Sequence, residues 1–124
     1  MTIPTPGKPV RGSNSGSPLM AAFDLLGRRW AMGIIWHLHD GPATFRGLQA
    51  YCESISPSIL NRRLKELREA QIITRTLDGY ELTALGQDLF NLLKPFSKWA
   101  ISWAEKIAPD EVRLWKQKKH KTRE

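Results

Sequence analysis

The 124-residue sequence predicts a mainly α-helical fold with one small β-hairpin, and three observations carry that reading. Successive stretches place apolar residues at helical spacing, each bounded by Pro, Gly, Ser or Thr. A short β-branched run, Ile72–Thr76, is followed by Asp78-Gly79, the dipeptide of a type I′ hairpin turn. The length is that of one ordinary domain, and 41% hydrophobic residues suffice for one modest core.

Met1–Ser17 is rich in Pro, Gly, Ser and Thr and nearly lacks large apolar residues. Such a segment buries too little surface to offset its ordering entropy, so residues 1–17 are expected to be a flexible arm. A first helix is predicted over Pro18–Leu26, with Ser17 as N-cap and Pro18 at the first helical position. Leu19, Phe23 and Leu26 share one face, and Gly27 closes the helix. A second helix is expected over Arg29–His39, with Trp30, Ile34 and Leu38 as its core stripe, stopped by Asp40-Gly41-Pro42. Thr44 caps a short third helix, Phe45–Tyr51.

The fourth helix has the strongest start signal: Ser56 as N-cap with Pro57 at the first helical position. It is predicted over Pro57–Ala70, with Leu60, Leu64 and Leu67 facing inward. Two short strands, Ile72–Thr76 and Tyr80–Leu82, then form the hairpin. Thr83 caps a long last helix, Ala84–Ile107, in which Leu85, Leu89, Leu92, Phe96, Trp99, Trp103 and Ile107 keep the helical period and Pro95 predicts a kink. Asp110–Gln117 supports a further turn or two of helix. Lys118–Glu124 is read as a frayed basic tail, which bounds the domain at residues 18–117.

Helix, turn, helix and hairpin in this order define a winged helix-turn-helix, in which the second helix of the pair enters the major groove of DNA. Such a helix needs one aliphatic face and one face of short polar and cationic groups. With the leucines of Pro57–Ala70 inward, Ser58, Asn61, Arg62 and Lys65 point outward. Asn reads adenine and Arg reads guanine bidentately, whereas Ser and Lys more often meet phosphate. Ser56 and Pro57 place the helix N-terminus, with its unpaired N–H groups, where a phosphate can approach. Arg75 and Thr76 flank the hairpin turn, where a wing cation can reach the minor groove or an ordinary exposed strand residue can simply face solvent. Arg62, Arg63, Lys65, Glu66, Arg68 and Glu69 also fit a merely solvated helix face. Arg63, at the edge of the inward side, fits a salt bridge.

Charge agrees with a polyanionic partner: the formal net charge is +7 and the pI about 9.9. The excess sits mostly at the two ends, so basicity alone defines no specific surface. The tail would add salt-sensitive, sequence-independent affinity for double-stranded DNA. Cys52 is the only cysteine, which excludes an intrachain disulfide framework and a cysteine-rich zinc site and fits a reducing cytoplasm. No transmembrane run or signal peptide is visible, so the expected location is cytoplasmic, with no membrane partner. His37 and His39 are two apart on a helix and cannot share a metal. No catalytic triad, phosphate-cradling glycine loop or carboxylate pair stands out, so neither an enzyme nor a cofactor or metal site is expected. A winged helix that binds another protein is the alternative, and an apolar outward face on Pro57–Ala70 would have favoured it.

Several of these residues resemble a known family. Phe23-Asp24-Leu25-Leu26-Gly27-Arg28-Arg29-Trp30, then Leu38 with Gly41-Pro42, then Phe45 to Leu48, look like the opening of the HxlR-type branch of the MarR-like winged-helix regulators. Ile55-Ser56-Pro57 to Leu60, Arg63 to Leu67 with Ala70, and Leu82-Thr83-Ala84-Leu85-Gly86 continue the match, which spans Phe23 to Trp99. The resemblance implies a bacterial transcriptional regulator that binds a two-fold symmetric operator as a homodimer, usually as a repressor. The dimer would form through the first and last helices, with Leu19, Phe23, Phe96, Trp99 and Trp103 divided between core and interface. A pocket for an unidentified small-molecule effector is envisaged near Trp30, Trp36 and the dimer helices. Three departures stand out. Ser13 to Leu19 lacks the cysteine that many members use as a sensor. The loop between the strands is short. Gly27-Arg28-Arg29-Trp30 replaces the usual Gly-Gly-Lys-Trp, and its arginines either touch phosphate or cap carbonyls of the preceding helix.

Overall fold

The computed structural model describes residues 3–122, with side chains through residue 119. The elements are α1 (Pro18–Leu26), α2 (Ala31–Leu38), α3 (Phe45–Tyr51), α4 (Pro57–Glu69), β1 (Ile73–Thr76), β2 (Gly79–Leu82), α5 (Ala84–Ile107) and α6 (Pro109–Thr122). The chain divides into two compact units, residues 1–90 and 91–124, where the sequence suggests one domain over 18–117. The first unit is a winged helix-turn-helix.

The segment expected to be a flexible arm takes a series of turns. Gly7, Gly12 and Gly16 adopt φ of 91°, 91° and 78°, and Val10 and Ser13 exchange backbone hydrogen bonds. The backbone N–H of Arg11 donates to Asp24 of α1 at 3.0 Å. Ser17 holds the N-cap position of α1, but its hydroxyl makes no capping bond.

The second helix starts at Ala31 rather than Arg29, because Trp30 turns left-handed at φ 68°. Gly33 leaves room for the indole, since a Cβ there would lie 3.3 Å from it, and the ring meets Tyr51 edge-on at 6.2 Å. The core is aliphatic: Ile34, Ile35, Leu48, Leu60 and Leu67 are fully buried, joined by Leu38, Leu64 and Ile73. His39 stacks on Phe90 and His37 on Tyr51, so the two imidazoles face different partners.

The wing pairs Ile73 with Leu82 through Thr76 with Gly79, antiparallel. Its turn is therefore Leu77-Asp78, and neither residue takes a positive φ, so the type I′ reading is not realised. Thr76 holds the turn instead, its hydroxyl accepting from the Asp78 N–H at 3.2 Å and donating to the Gly79 carbonyl at 3.3 Å. Gly79, at φ 122°, serves another purpose. Ala43 exchanges two hydrogen bonds with Tyr80, of 2.8 and 2.9 Å, adding a third short strand segment to the wing. A Cβ at residue 79 would stand 2.3 Å from the Ala43 carbonyl oxygen.

Thr83 ties wing to α5. Its hydroxyl donates to the Gln71 carbonyl at 2.6 Å and accepts from the Gly86 N–H at 3.0 Å. A Cβ at Gly86 would lie 2.0 Å from the Ile72 carbonyl oxygen, which is inside contact distance with rigid backbone. Gly86→Ala is expected to destabilise the first unit by about 1–3 kcal/mol through this overlap, read as a lower urea midpoint at unchanged slope.

In the second unit the helix α5 continues through Pro95 to Ile107. Phe96, Trp99 and Trp103 form a run of neighbouring rings with centroids 5.5 and 5.9 Å apart. They remain 62%, 58% and 50% exposed, so they form no core of the second unit by itself. α6 extends to Thr122, beyond the expected turn or two ending near Gln117. Its start explains its length: Pro109 fits the first turn, Asp110 and Glu111 complement the helix dipole, and no Gly or Pro follows. Lys116 pairs with Glu105 at 2.9 Å, and Val112 is buried.

Candidate nucleic-acid interface

α4 is fixed at both ends by its own sequence. Ser56 accepts from the Ile59 N–H at 3.4 Å, with Pro57 at the first position. At the other end Gln71 turns left-handed (φ 63°), while Ile72 N–H reaches the Leu67 carbonyl and Gln71 N–H the Arg68 carbonyl, a Schellman closure. The turn from α3 into α4 carries two consecutive left-handed residues, Glu53 and Ser54, and Gln49 Nε2 donates to the Ile55 carbonyl at 3.0 Å. These contacts set the angle between the two helices of the motif.

Leu60, Leu64 and Leu67 hold the inward face of α4. Ser58, Asn61, Arg62 and Lys65 are exposed on the other side, together with Ser56 and Pro57 at the N-terminus. These six sequence-selected residues share one surface of one helix. The two wing residues differ from them. Arg75 is exposed but lies over the Tyr80 ring, its guanidinium carbon 5.7 Å from the centroid. The Thr76 hydroxyl is engaged in the hairpin turn.

One part of α4 departs from the solvated-face expectation. Glu66 is 6% exposed. Arg28 donates to its Oε2 and Arg63 to its Oε1, while Arg63 Nε donates to the Arg29 carbonyl at 2.7 Å. Arg28 also lies 4.0 Å from Asp24. This part-buried network clips α4 to the α1–α2 turn. The salt bridge expected of Arg63 is present, and the partner that buries Glu66 comes from 38 residues away.

Cys52 is buried at the end of α3. Burial pushes its thiol pKa up, and the Glu53 charge adds to the shift. The nucleophilic thiolate is thus disfavoured in the folded chain. The neutral thiol contributes stability that is complete below the ordinary cysteine range and is lost as pH rises through the raised value. Expected outcome: Cys52 resists a chromogenic disulfide reagent at pH 7–8 in the native protein and reacts at once in denaturant. Rapid native reaction would contradict its burial. Among the described residues no His, Cys, Asp and Glu group could hold a metal ion, and no helix is long and apolar enough to cross a membrane.

Comparison with known proteins agrees with this geometry. Residues 25–108 match the profile of the HxlR-like helix-turn-helix family. The HTH-type transcriptional regulator YodB of Bacillus subtilis is 35% identical over 100 residues, covering 74% of this chain and 89% of that protein. YvaP, an uncharacterized HTH-type transcriptional regulator of the same species, is 32% identical over 91 residues, covering 68% and 84%. The quinone-bound crystal structure of YodB superposes with a TM-score of 0.61, covering 67% of this chain and 94% of that one. A MarR-family regulator structure from Enterococcus faecalis gives 0.65 at 20% identity, covering 81% and 97%, and supports the fold alone.

Proposed function

Since the chain belongs to the HxlR-like helix-turn-helix family of transcriptional regulators, we propose that it is a sequence-specific repressor that binds a two-fold symmetric DNA operator as a homodimer. One observation carries the reading. α4 is locked on its aliphatic side and presents Ser58, Asn61, Arg62 and Lys65 outward, the residue types that read bases and phosphates in the major groove. Asn61 and Arg62 take base edges. Ser58 and Lys65 take phosphates, as does the Ser58 backbone N–H at the Ser56-Pro57 end of the helix, where Ile59 and Leu60 already donate to Ser56. Arg75 serves the flanking groove from the wing, at the cost of its contact with Tyr80, and Thr76 shapes the turn beside it.

The dimer rests on apolar faces that each unit leaves open. Leu19 and Phe23 are exposed on α1, and Phe96, Trp99 and Trp103 are exposed on α5. Aromatic faces of this kind are what an obligate partner covers. A second copy is the partner in this reading, with half-sites about 34 Å apart, one duplex turn, or a multiple of it. The quinone-bound state of YodB supports a small-molecule effector as part of the same account. The reading needs no cofactor or metal, and it places the protein with the DNA in the cytoplasm.

Asn61→Ala and Arg62→Ala are each expected to weaken operator binding by about 1–3 kcal/mol and to relax base preference at one position per half-site. The check is affinity for operator and random duplex side by side. Equal losses on both would remove these residues from base reading.

A further inference from the structure

We propose that the hollow between the α1–α2 turn and α4 is a phosphate-binding site that adjoins the base-reading face and shares Arg62 with it. It encloses about 400 Å³ and is lined by Arg11, Arg28, Arg29, Arg62 and Arg63, with Glu66 the sole carboxylate among its lining residues. Two of the five guanidiniums are anchored. Both Glu66 oxygens are taken, one by Arg28 and one by Arg63, and Arg63 spends its Nε on the Arg29 carbonyl. Each oxygen of the anchoring carboxylate thus already has a guanidinium partner, and neither is paired with Arg11, Arg29 or Arg62. Asp24, which borders Arg28, accepts from the Arg11 backbone rather than from its side chain.

Arg11, Arg29 and Arg62 are exposed, and among the described residues their guanidiniums form no ion pair. Like charges gathered this closely repel one another, and a bound anion offsets that repulsion. Planar guanidinium forks match a phosphate oxyanion bidentately, better than the point charge of a lysine would. The anchored pair gives the site a fixed floor, and the three unpaired side chains can close over the ligand. Arg62 belongs both to this hollow and to the outward face of α4, so occupancy of the hollow and contact with DNA are coupled.

The shared chemistry is a phosphate group, either a backbone phosphodiester of the bound duplex or a free phosphate-bearing ligand. Arg29→Gln separates the sources, because the Arg29 side chain is exposed and supports no other group. Arg11→Gln is a second variant with the same expected direction. If the duplex supplies the phosphate, the variant's log–log dependence of random-duplex affinity on salt becomes shallower by about 0.9, roughly a threefold smaller loss between 50 and 200 mM salt. If a free ligand supplies it, that slope stays unchanged. Inorganic phosphate at constant ionic strength then raises the Tm of the native protein but not of the variant. An unchanged slope together with no phosphate-dependent difference in Tm, in both variants, overturns the proposal. The duplex arm rests on the DNA-binding reading and the inorganic phosphate arm does not. Failure of the native protein to bind any duplex therefore counts against that reading, while the phosphate arm alone decides the hollow.

Discussion

Leu60→Ala is expected to cost about 2–5 kcal/mol of folding stability. Leu60 is fully buried, one residue before Asn61 and four before Leu64, where α4 meets the core. Truncation removes the transfer free energy of the side chain and leaves a cavity. The surrounding residues collapse into it poorly, because both ends of α4 are held by caps. Urea denaturation should show a lower midpoint with an unchanged slope. DNA affinity should fall only by the fraction unfolded, which distinguishes this variant from Asn61→Ala on the opposite face. A cost below about 1 kcal/mol would mean that α4 is not seated on a packed core.

Glu66→Ala follows, at about 2–3 kcal/mol. Removing one member of a fully buried ion network costs about 3–5 kcal/mol. The side chains of Arg28 and Arg63 are 21% and 11% exposed, so water recovers part of their solvation and the expected loss is smaller. A double-mutant cycle with Arg28→Ala should give a coupling energy above about 0.5 kcal/mol. The same change frees Arg63 on α4 and Arg28 beside it. Sequence-independent DNA affinity should therefore rise and become more salt-sensitive even as stability falls. Additive effects in the cycle would show that Arg28 and Glu66 do not act as a pair.

The contrast between these two residues shows what the sequence can carry. Leu60, Leu64 and Leu67 are legible because helical period and burial coincide, and Ser56-Pro57 is legible because a cap acts on adjacent residues. The outward residues follow from the same geometry. Glu66 is not legible in this way. Beside Arg62, Arg63 and Arg68 it reads as one more charge on a wet helix, and only a guanidinium contributed from the α1–α2 turn buries it. The pairing of Ala43 with Tyr80 is hidden for the same reason, since one bridge residue beyond Asp40-Gly41-Pro42 has no strand pattern of its own. Asp78-Gly79 reads locally as a type I′ turn. In the fold the glycine instead makes room for the Ala43 carbonyl, and the turn moves one residue earlier.

Trp30 illustrates a different failure. Its position fits the stripe of Ile34 and Leu38, but its backbone turns left-handed to direct the indole toward Tyr51, which no periodicity reports. For α6 the signals lie in the sequence itself. An acidic first turn after a proline favours a helix, and a lysine-rich run without Gly or Pro does not end one. On α5 the apolar period is clear, but it does not say which residues are core. Phe90 and Gly86 are buried, whereas Leu85, Leu92, Phe96, Trp99 and Trp103 are exposed. That division is what motivates a second copy.

Selection of bound duplexes from a random DNA pool by the purified protein, at near-physiological salt, distinguishes base reading by a dimer from mere charge attraction. A base-reading homodimer recovers an inverted repeat whose half-sites are about one duplex turn apart, or a multiple of it. Recovery of no motif, with binding that vanishes as salt rises, would contradict it and leave a basic winged helix whose partner is another protein.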